Sequence, residues 1–347
     1  MCKGKLKIEA QKWIEAYIHT IAAYTSSTIF RFIFNFYFYS TPNNTHSPPF
    51  THMNPFHIKV AAAIPNMRVA DCTFNETEII RTIIQASTQE TDIIVLPELS
   101  ITGYTCGDLF LQRVLTDTAQ RSLSNILLST ASMPIIAIIG MPLPLGPTLL
   151  NTAVVISQGK IHGIVPKTFL PNYNEFYEQR WFTSALDITQ RTATLCHQTA
   201  PLGTDLLFRT PISTFAIELC EDLWAPIPPS SHLAIEGAEL IFNLSATNEC
   251  IGKHRYLCTL IQQQSLRTQS AYIYSSSGFG ESSTDLVFAG NAIICQQGFT
   301  IAKSQRFSMQ PQTILADIDL PHIRQQRAIH TSFHTDRHNH CRTVFIP

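Results

Sequence analysis

The sequence predicts an α/β protein, and three observations carry that expectation. From residue 58 onward, short continuous apolar runs alternate with stretches whose apolar residues recur at helical spacing. Several of the later runs are joined by turn-forming residues as hairpins, so the sheet is mixed or there are two sheets. No Pro/Gly/Ser linker, internal repeat or low-complexity tract divides residues 58–320, which favours one domain.

The elements follow in order. IKVAAAI at 58–64 reads as the first core strand. Asn75 and Glu78 have capping-box spacing ahead of an Ile79, Ile80, Ile83, Ile84 stripe, which predicts a helix. IIVL at 93–96 is a buried strand ended by Pro97, a helix is expected over 109–128, and IIAIIG at 135–140 is a strand. TAVVIS and IHGIV flank Gln-Gly-Lys and read as a hairpin. Strands are expected at 214–219 and 240–244, helices at 231–238 and 254–267, and a strand at AYIYSS. LVFAGNAIIC, FTIAKS and TILADID make the last third rich in strands. Continuous apolar strands between helices imply a sheet covered by helices.

Composition bounds the function. The chain has 347 residues, 45% hydrophobic, enough for a substantial core. With 24 basic and 25 acidic residues the net charge is -1, which supplies no field for a polyanion and argues against nucleic acid as partner. Nine scattered cysteines without a C-x-x-C pair read as thiols in a reducing compartment. No export-signal pattern is evident, so a cytoplasmic location is expected. The apolar stretch at 17–39 contains His19 and Arg31 and fits neither a membrane helix nor a signal peptide, so no membrane partner is expected. Residues 1–52 read as a leader outside the domain, disordered or ahead of a working start at Met53.

Three polar residues end apolar strands, where open α/β sheets place ligands: Glu98 after IIVLP, Lys167 after IHGIVP, and Cys220 after FAIEL. Each alone has a plain structural reading, as a turn cap, a surface lysine and a buried small hydrophobe. Together they suit amide hydrolysis. Glu98 takes the thiol proton, Cys220 attacks the carbonyl, and Lys167 stabilises the oxyanion, with the Glu221 N–H as a natural second donor. SGFGESSTD carries Gly278 and Gly280 and reads as a tight turn, since a lone G-x-G is a weak phosphate signal. His330, His334, His338, His340 and Cys341 match no common zinc spacing, and no metal is expected.

The segments LPELSITGYTCGDLF, VPKTFLPNYNEFYEQRWF, ELCEDLWAPIPPS, FNLSATNECIGKHRYL and YIYSSSGFGESSTDLVFAG resemble the carbon–nitrogen hydrolase (nitrilase) superfamily. More narrowly they resemble the amino-terminal glutaminase domain of glutamine-dependent NAD+ synthetase. The resemblance covers nearly all of 58–320. It implies a nitrilase-like α-β-β-α sandwich with two mixed sheets and a triad on Glu98, Lys167 and Cys220. It also implies a supporting glutamate at Glu175 and substrate contacts from Tyr173, Phe176, Glu221, Thr247 and Lys253. Where some members carry arginine this chain has Lys253, which keeps the charge and loses the planar grip on a carboxylate.

The implied reaction converts L-glutamine to glutamate and ammonia through a Cys220 thioester, with no cofactor for that step. The ammonia would pass to a synthetase domain using ATP, Mg2+ and deamido-NAD+. No S-G-G-x-D-S or G-x-x-x-x-G-K-[ST] loop is present, so that domain is expected to be missing, with 53–325 the glutaminase domain and 326–347 a shortened linker. A homo-oligomer is also implied. The alternatives are a free-standing amidase of another small amide, or a non-catalytic fragment.

Overall fold

The computed structural model describes residues 57–284, 286–334 and 340–347; the expected leader at 1–52 and the Met53 start lie outside the described residues. The described chain runs β1 (His57–Ile64), α1 (Cys72–Thr88), β2 (Ile93–Val95), α2 (Arg113–Ser129), β3 (Ile136–Leu145), β4 (Thr148–Ser157) and β5 (Lys160–Pro166). It continues through β6 (Thr192–Leu195), β7 (Gln198–Pro201), β8 (Leu206–Arg209), β9 (Thr214–Leu219), α3 (Pro229–Ile235), β10 (Leu240–Ser245) and α4 (Lys253–Arg267). It ends with β11 (Ala271–Ser276), β12 (Ala292–Gln296), β13 (Phe299–Lys303), β14 (Gln312–Asp319), α5 (Leu320–Ile329) and β15 (Arg342–Phe345).

Two mixed sheets result, ordered β14-β1-β2-β3-β4-β5 and β13-β12-β11-β10-β9-β8-β15. Period-two alternation assigns each strand's side chains to two different layers. In β1, Ile58, Val60 and Ala62 join Phe208, Ile217, Leu240 and Phe242 between the sheets. Ala61 and Ala63 instead face the layer of Ile79, Ile83 and Leu123 from α1 and α2. The second sheet turns Ile241, Tyr272 and Ile293 toward Leu257 and Ile261 of α4. Both sheets are therefore buried on two faces, which is why their strands read as continuous apolar runs. Each such aliphatic side chain contributes about 2 kcal/mol by leaving water. The architecture is the expected α-β-β-α sandwich with two mixed sheets.

Local differences from expectation have physical causes. The α1 N-cap is Asp71, whose carboxylate accepts the Phe74 N–H at 3.0 Å. Asn75 is buried instead and joins two chain segments, its amide donating to the Arg68 and Ile101 carbonyls at 2.8 and 3.0 Å. The helix expected over 109–128 starts as a 3-10 turn at Gly107–Leu111 and becomes α-helical at Arg113. β3 extends through Pro142 and Pro144 because it pairs with β2 only at Ile136, Ala137 and Ile138, beyond which one edge needs no N–H donor. Within residues 326–347, β15 pairs in parallel with β8, and Ile346 is buried between the sheets.

Candidate active site

β2 and β5 run in the same direction in one sheet, and β9 and β10 run parallel in the other. Their carboxyl ends meet where the Glu98 N–H donates to the Ser245 carbonyl at 3.2 Å, a bond that crosses between the sheets. Glu98 follows β2, and its turn passes so close to β3 that a Cβ on Gly140 would lie 2.3 Å from the Leu99 nitrogen. Lys167 follows β5, its N–H donating to the Asn151 carbonyl at 2.9 Å.

Cys220 opens a 3-10 turn, Cys220–Trp224, directly after β9 and adopts φ 42, a left-handed conformation that is strained for a residue with a side chain. Side chains hold it there. Asn243 Oδ1 accepts the Cys220 N–H at 3.2 Å, and Asp222 accepts the Leu219 and Phe169 N–H groups at 3.0 and 2.9 Å. Asp222 thus ties the cysteine turn to the loop that follows Lys167. Its burial pushes the carboxyl up to about 7.

The polar centre is fully enclosed. Lys167 Nζ donates to Glu98 Oε1 at 2.6 Å and to Glu178 Oε1 at 2.7 Å, with all three side chains buried. Asn151 Nδ2 also donates to Glu98 Oε1, at 2.7 Å, and the Tyr104 hydroxyl donates to Glu178 Oε1 at 2.7 Å. Glu98 Oε2 is buried without a hydrogen-bond partner. Burial alone would depress the Lys167 ammonium, but the charges of Glu178 and Glu98 outweigh it and hold the group well above its usual range. Burial pushes Glu178 up, opposed by Lys167 and reinforced by Glu98. Burial and the Glu98 charge push the Cys220 thiol up to about 12, with Lys167 acting in the other direction. The three residues chosen from strand ends therefore converge on one electrostatically coupled centre.

Glu175, the expected supporting glutamate, borders the site, where its carboxylate accepts from Asn248 Nδ2, while the carboxylate at the lysine belongs to Glu178, which was not expected. The cause is local geometry: Asn174 takes φ 50, the chain then enters a 3-10 turn at Glu178–Arg180, and that turn presents Glu178 inward. Asp108 holds the turn from outside through Arg180 Nε at 2.6 Å and Trp181 Nε1 at 2.9 Å.

The other expected contacts surround the centre. Thr247 Oγ1 is 3.7 Å from Cys220 Sγ and 2.7 Å from the Tyr274 hydroxyl. The Tyr173 hydroxyl donates to Glu221 Oε1 at 2.8 Å, and Tyr173 packs edge-on against Phe176. Lys253 Nζ donates to Asn248 Oδ1 and lies 5.4 Å from the Phe176 ring centre and 5.5 Å from that of Trp224. A cavity of about 180 Å³ touches Tyr104, Glu175 and Phe176. Glu281 accepts the Tyr104 and Thr105 N–H groups at 2.8 and 3.0 Å. Gly280, in the expected tight turn, has φ 113 and passes under the Met67 carbonyl with no room for a Cβ. Glu178, Asn151, Tyr104, Asp222 and Asn243 are the site residues that sequence reasoning missed.

Fold and site together define a four-layer sandwich whose two sheets converge on a buried Glu–Lys–Glu cluster beside a strained cysteine. The chain belongs to the carbon–nitrogen hydrolase family, whose model matches residues 59–328. It is similar to a glutamine-dependent NAD(+) synthetase of Mycobacterium leprae, 33% identical over 286 residues, which covers 82% of this chain and 42% of that relative. Among solved structures it is similar to a glutamine-dependent NAD(+) synthetase from Cytophaga hutchinsonii, with TM-score 0.68, 28% identity, and coverage of 76% of this chain and 43% of the other. An amidase of the nitrilase superfamily from Nesterenkonia shares the fold, with TM-score 0.62 at 18% identity over 80% of this chain and 97% of its own. The chain spans less than half the length of the curated synthetases it matches. No group of three His, Cys, Asp or Glu side chains placed to hold a metal ion occurs among the described residues, nor does a helix long and apolar enough to cross a membrane.

Proposed function

We propose that this chain hydrolyses the side-chain amide of L-glutamine through a thioester on Cys220, with Glu98 as general base and Lys167 as cationic oxyanion partner. The observation that carries the proposal is the division of labour within one carboxylate. Glu98 Oε1 is occupied by Lys167 and Asn151, while Oε2 is buried and unpartnered, free to receive a proton. With the Cys220 thiol pushed up to about 12, forming a free thiolate at pH 7 would cost roughly 7 kcal/mol, so attack and proton transfer to Glu98 proceed together.

The Cys220 Sγ–carbon bond then forms as the carbonyl oxygen takes negative charge beside Lys167. The Glu221 N–H, among the first amides of the Cys220 turn and lacking a carbonyl within it, is the second donor. Losing one such donor costs about 3 kcal/mol of transition-state stabilisation. Glu98 returns the proton to the departing nitrogen, ammonia leaves, and water attacks the thioester with Glu98 again as base. Glu178 fixes the Lys167 ammonium from its other side.

For the substrate's amino-acid end, Glu221 and Tyr173 suit an ammonium and Lys253 a carboxylate, with Phe176 and Thr247 on the walls. The names and similarity of the synthetase relatives support glutamine over other amides. In this reading the ammonia goes to a synthetase domain, where ATP, Mg2+ and deamido-NAD+ would be used. Homo-oligomeric assembly and a cytoplasmic setting belong to the same proposal, the latter supported by eight unpaired cysteines among the described residues. The test is ammonia release from L-glutamine by the purified protein and by Cys220→Ala. Turnover that persists in the variant removes Cys220 from the mechanism, and turnover of short aliphatic amides with glutamine inert replaces the substrate.

A further inference from the structure

A second thiol site lies where α4 meets the end of β13. His254 and Cys258 are four residues apart and share one side of the helix, and Lys303 reaches them from the end of β13. The three heads are in mutual contact. Lys303 Nζ donates to His254 Nε2 at 2.7 Å and to Cys258 Sγ at 3.6 Å, and Cys258 Sγ lies 3.4 Å from His254 Nε2. Cys258 and His254 are half-buried and Lys303 is exposed, in contrast to the buried Cys72, Cys106 and Cys295.

We propose that Cys258 is a peroxide-reactive modification site, activated by Lys303 and His254 and independent of the amide-hydrolysing centre. A thiol is reactive when a cation favours its thiolate. His254 positions that cation, its Nε2 accepting from the Lys303 ammonium beside the sulfur. The Lys303 ammonium stabilises the negative charge that develops on sulfur. In the reaction, Sγ attacks one oxygen of hydrogen peroxide, the S–O bond forms as the O–O bond breaks, and the other oxygen departs as water with the thiol proton. Sulfur loses two electrons, peroxide is reduced, and Cys258 becomes a sulfenic acid.

The test treats the whole protein with hydrogen peroxide in the presence of dimedone and maps adducts by peptide mass spectrometry, with the exposed Cys250 as internal reference. Cys258 is expected to trap at least about tenfold faster than Cys250. Lys303→Met should bring it within about threefold of Cys250, and Lys303→Arg should retain most of the rate. Unreactive Cys72 and Cys295 in each variant report an intact fold. Trapping at Cys258 no faster than at Cys250 in the unmodified sequence overturns the proposal without any variant, as does an unchanged rate in Lys303→Met.

Discussion

Glu178→Gln isolates how the lysine is held. Lys167 Nζ sits 2.6 Å from Glu98 and 2.7 Å from Glu178, and the cluster sets two carboxylates against one ammonium out of contact with water. Glutamine keeps the shape and an acceptor oxygen but removes one charge. A hydrogen bond to a charged group contributes about 1.5–3 kcal/mol, so losing its charged character loosens the ammonium by a comparable amount. If Lys167 acts on the transition state, kcat falls by about 10- to 100-fold. KM should stay within about threefold, since Glu178 faces the lysine and not the substrate's amino-acid end. The fold should tolerate the change, because Glu98 still neutralises Lys167 and the removed carboxylate is itself disfavoured by burial. The assay is initial-rate ammonia release across glutamine concentrations, paired with urea unfolding. A Glu178→Gln protein with unchanged kcat refutes the claim that this carboxylate positions the catalytic ammonium.

Glu98→Gln removes the base while keeping the Asn151 and Lys167 contacts, and should lower kcat by about 10²- to 10⁴-fold in the same assay. Asp222, pushed up to about 7, binds protons more readily folded than unfolded, so its contribution to stability is full below about pH 4 and is lost as pH rises through about 7. Urea midpoints measured from pH 4 to 8 should therefore fall less steeply in Asp222→Asn than in the parent, although the variant is less stable because an amide cannot accept both backbone N–H groups. A parallel slope in the two proteins removes Asp222 as the titrating group. Gly140→Ala drives a methyl into the Pro97–Leu99 turn and should lower stability by about 3 kcal/mol and reduce kcat with it; a neutral effect would mean the turn carrying Glu98 is not held by this contact.

Much of the layer structure was legible because both sheets are buried on two faces, and continuous apolar runs such as those of β1, β9 and β10 have few alternative readings. The hairpin at Gln158 and Gly159 was legible for its turn chemistry, both residues taking positive φ. The hairpin of β6 and β7 was not, since Cys196 and His197 fill the same left-handed turn without a glycine. Glu98, Lys167 and Cys220 stood out because each is a polar residue ending an apolar strand. Glu178 lacked that marker. It lies three residues from Glu175 in a strandless loop, and only the φ of Asn174 and the turn that follows decide which of the two carboxylates points inward. Asn75 misled for a related reason: capping-box spacing was present, while the position was required for a buried join between loops. Asn151 and Asn243 sit inside strands, where a single amide gives no sign that its partner comes from another strand's end.

The central claim is that the sulfur of Cys220 forms the covalent bond to the substrate's carbon. A diazoketone analogue of glutamine tests it directly, because its electrophilic carbon occupies the position of the scissile amide. The expected result is one analogue added on the peptide containing Cys220, with ammonia release lost in proportion and L-glutamine protecting against both. Loss of activity with the adduct on another residue, or a Cys220 peptide that stays unmodified while glutamine turnover stops, would contradict the account.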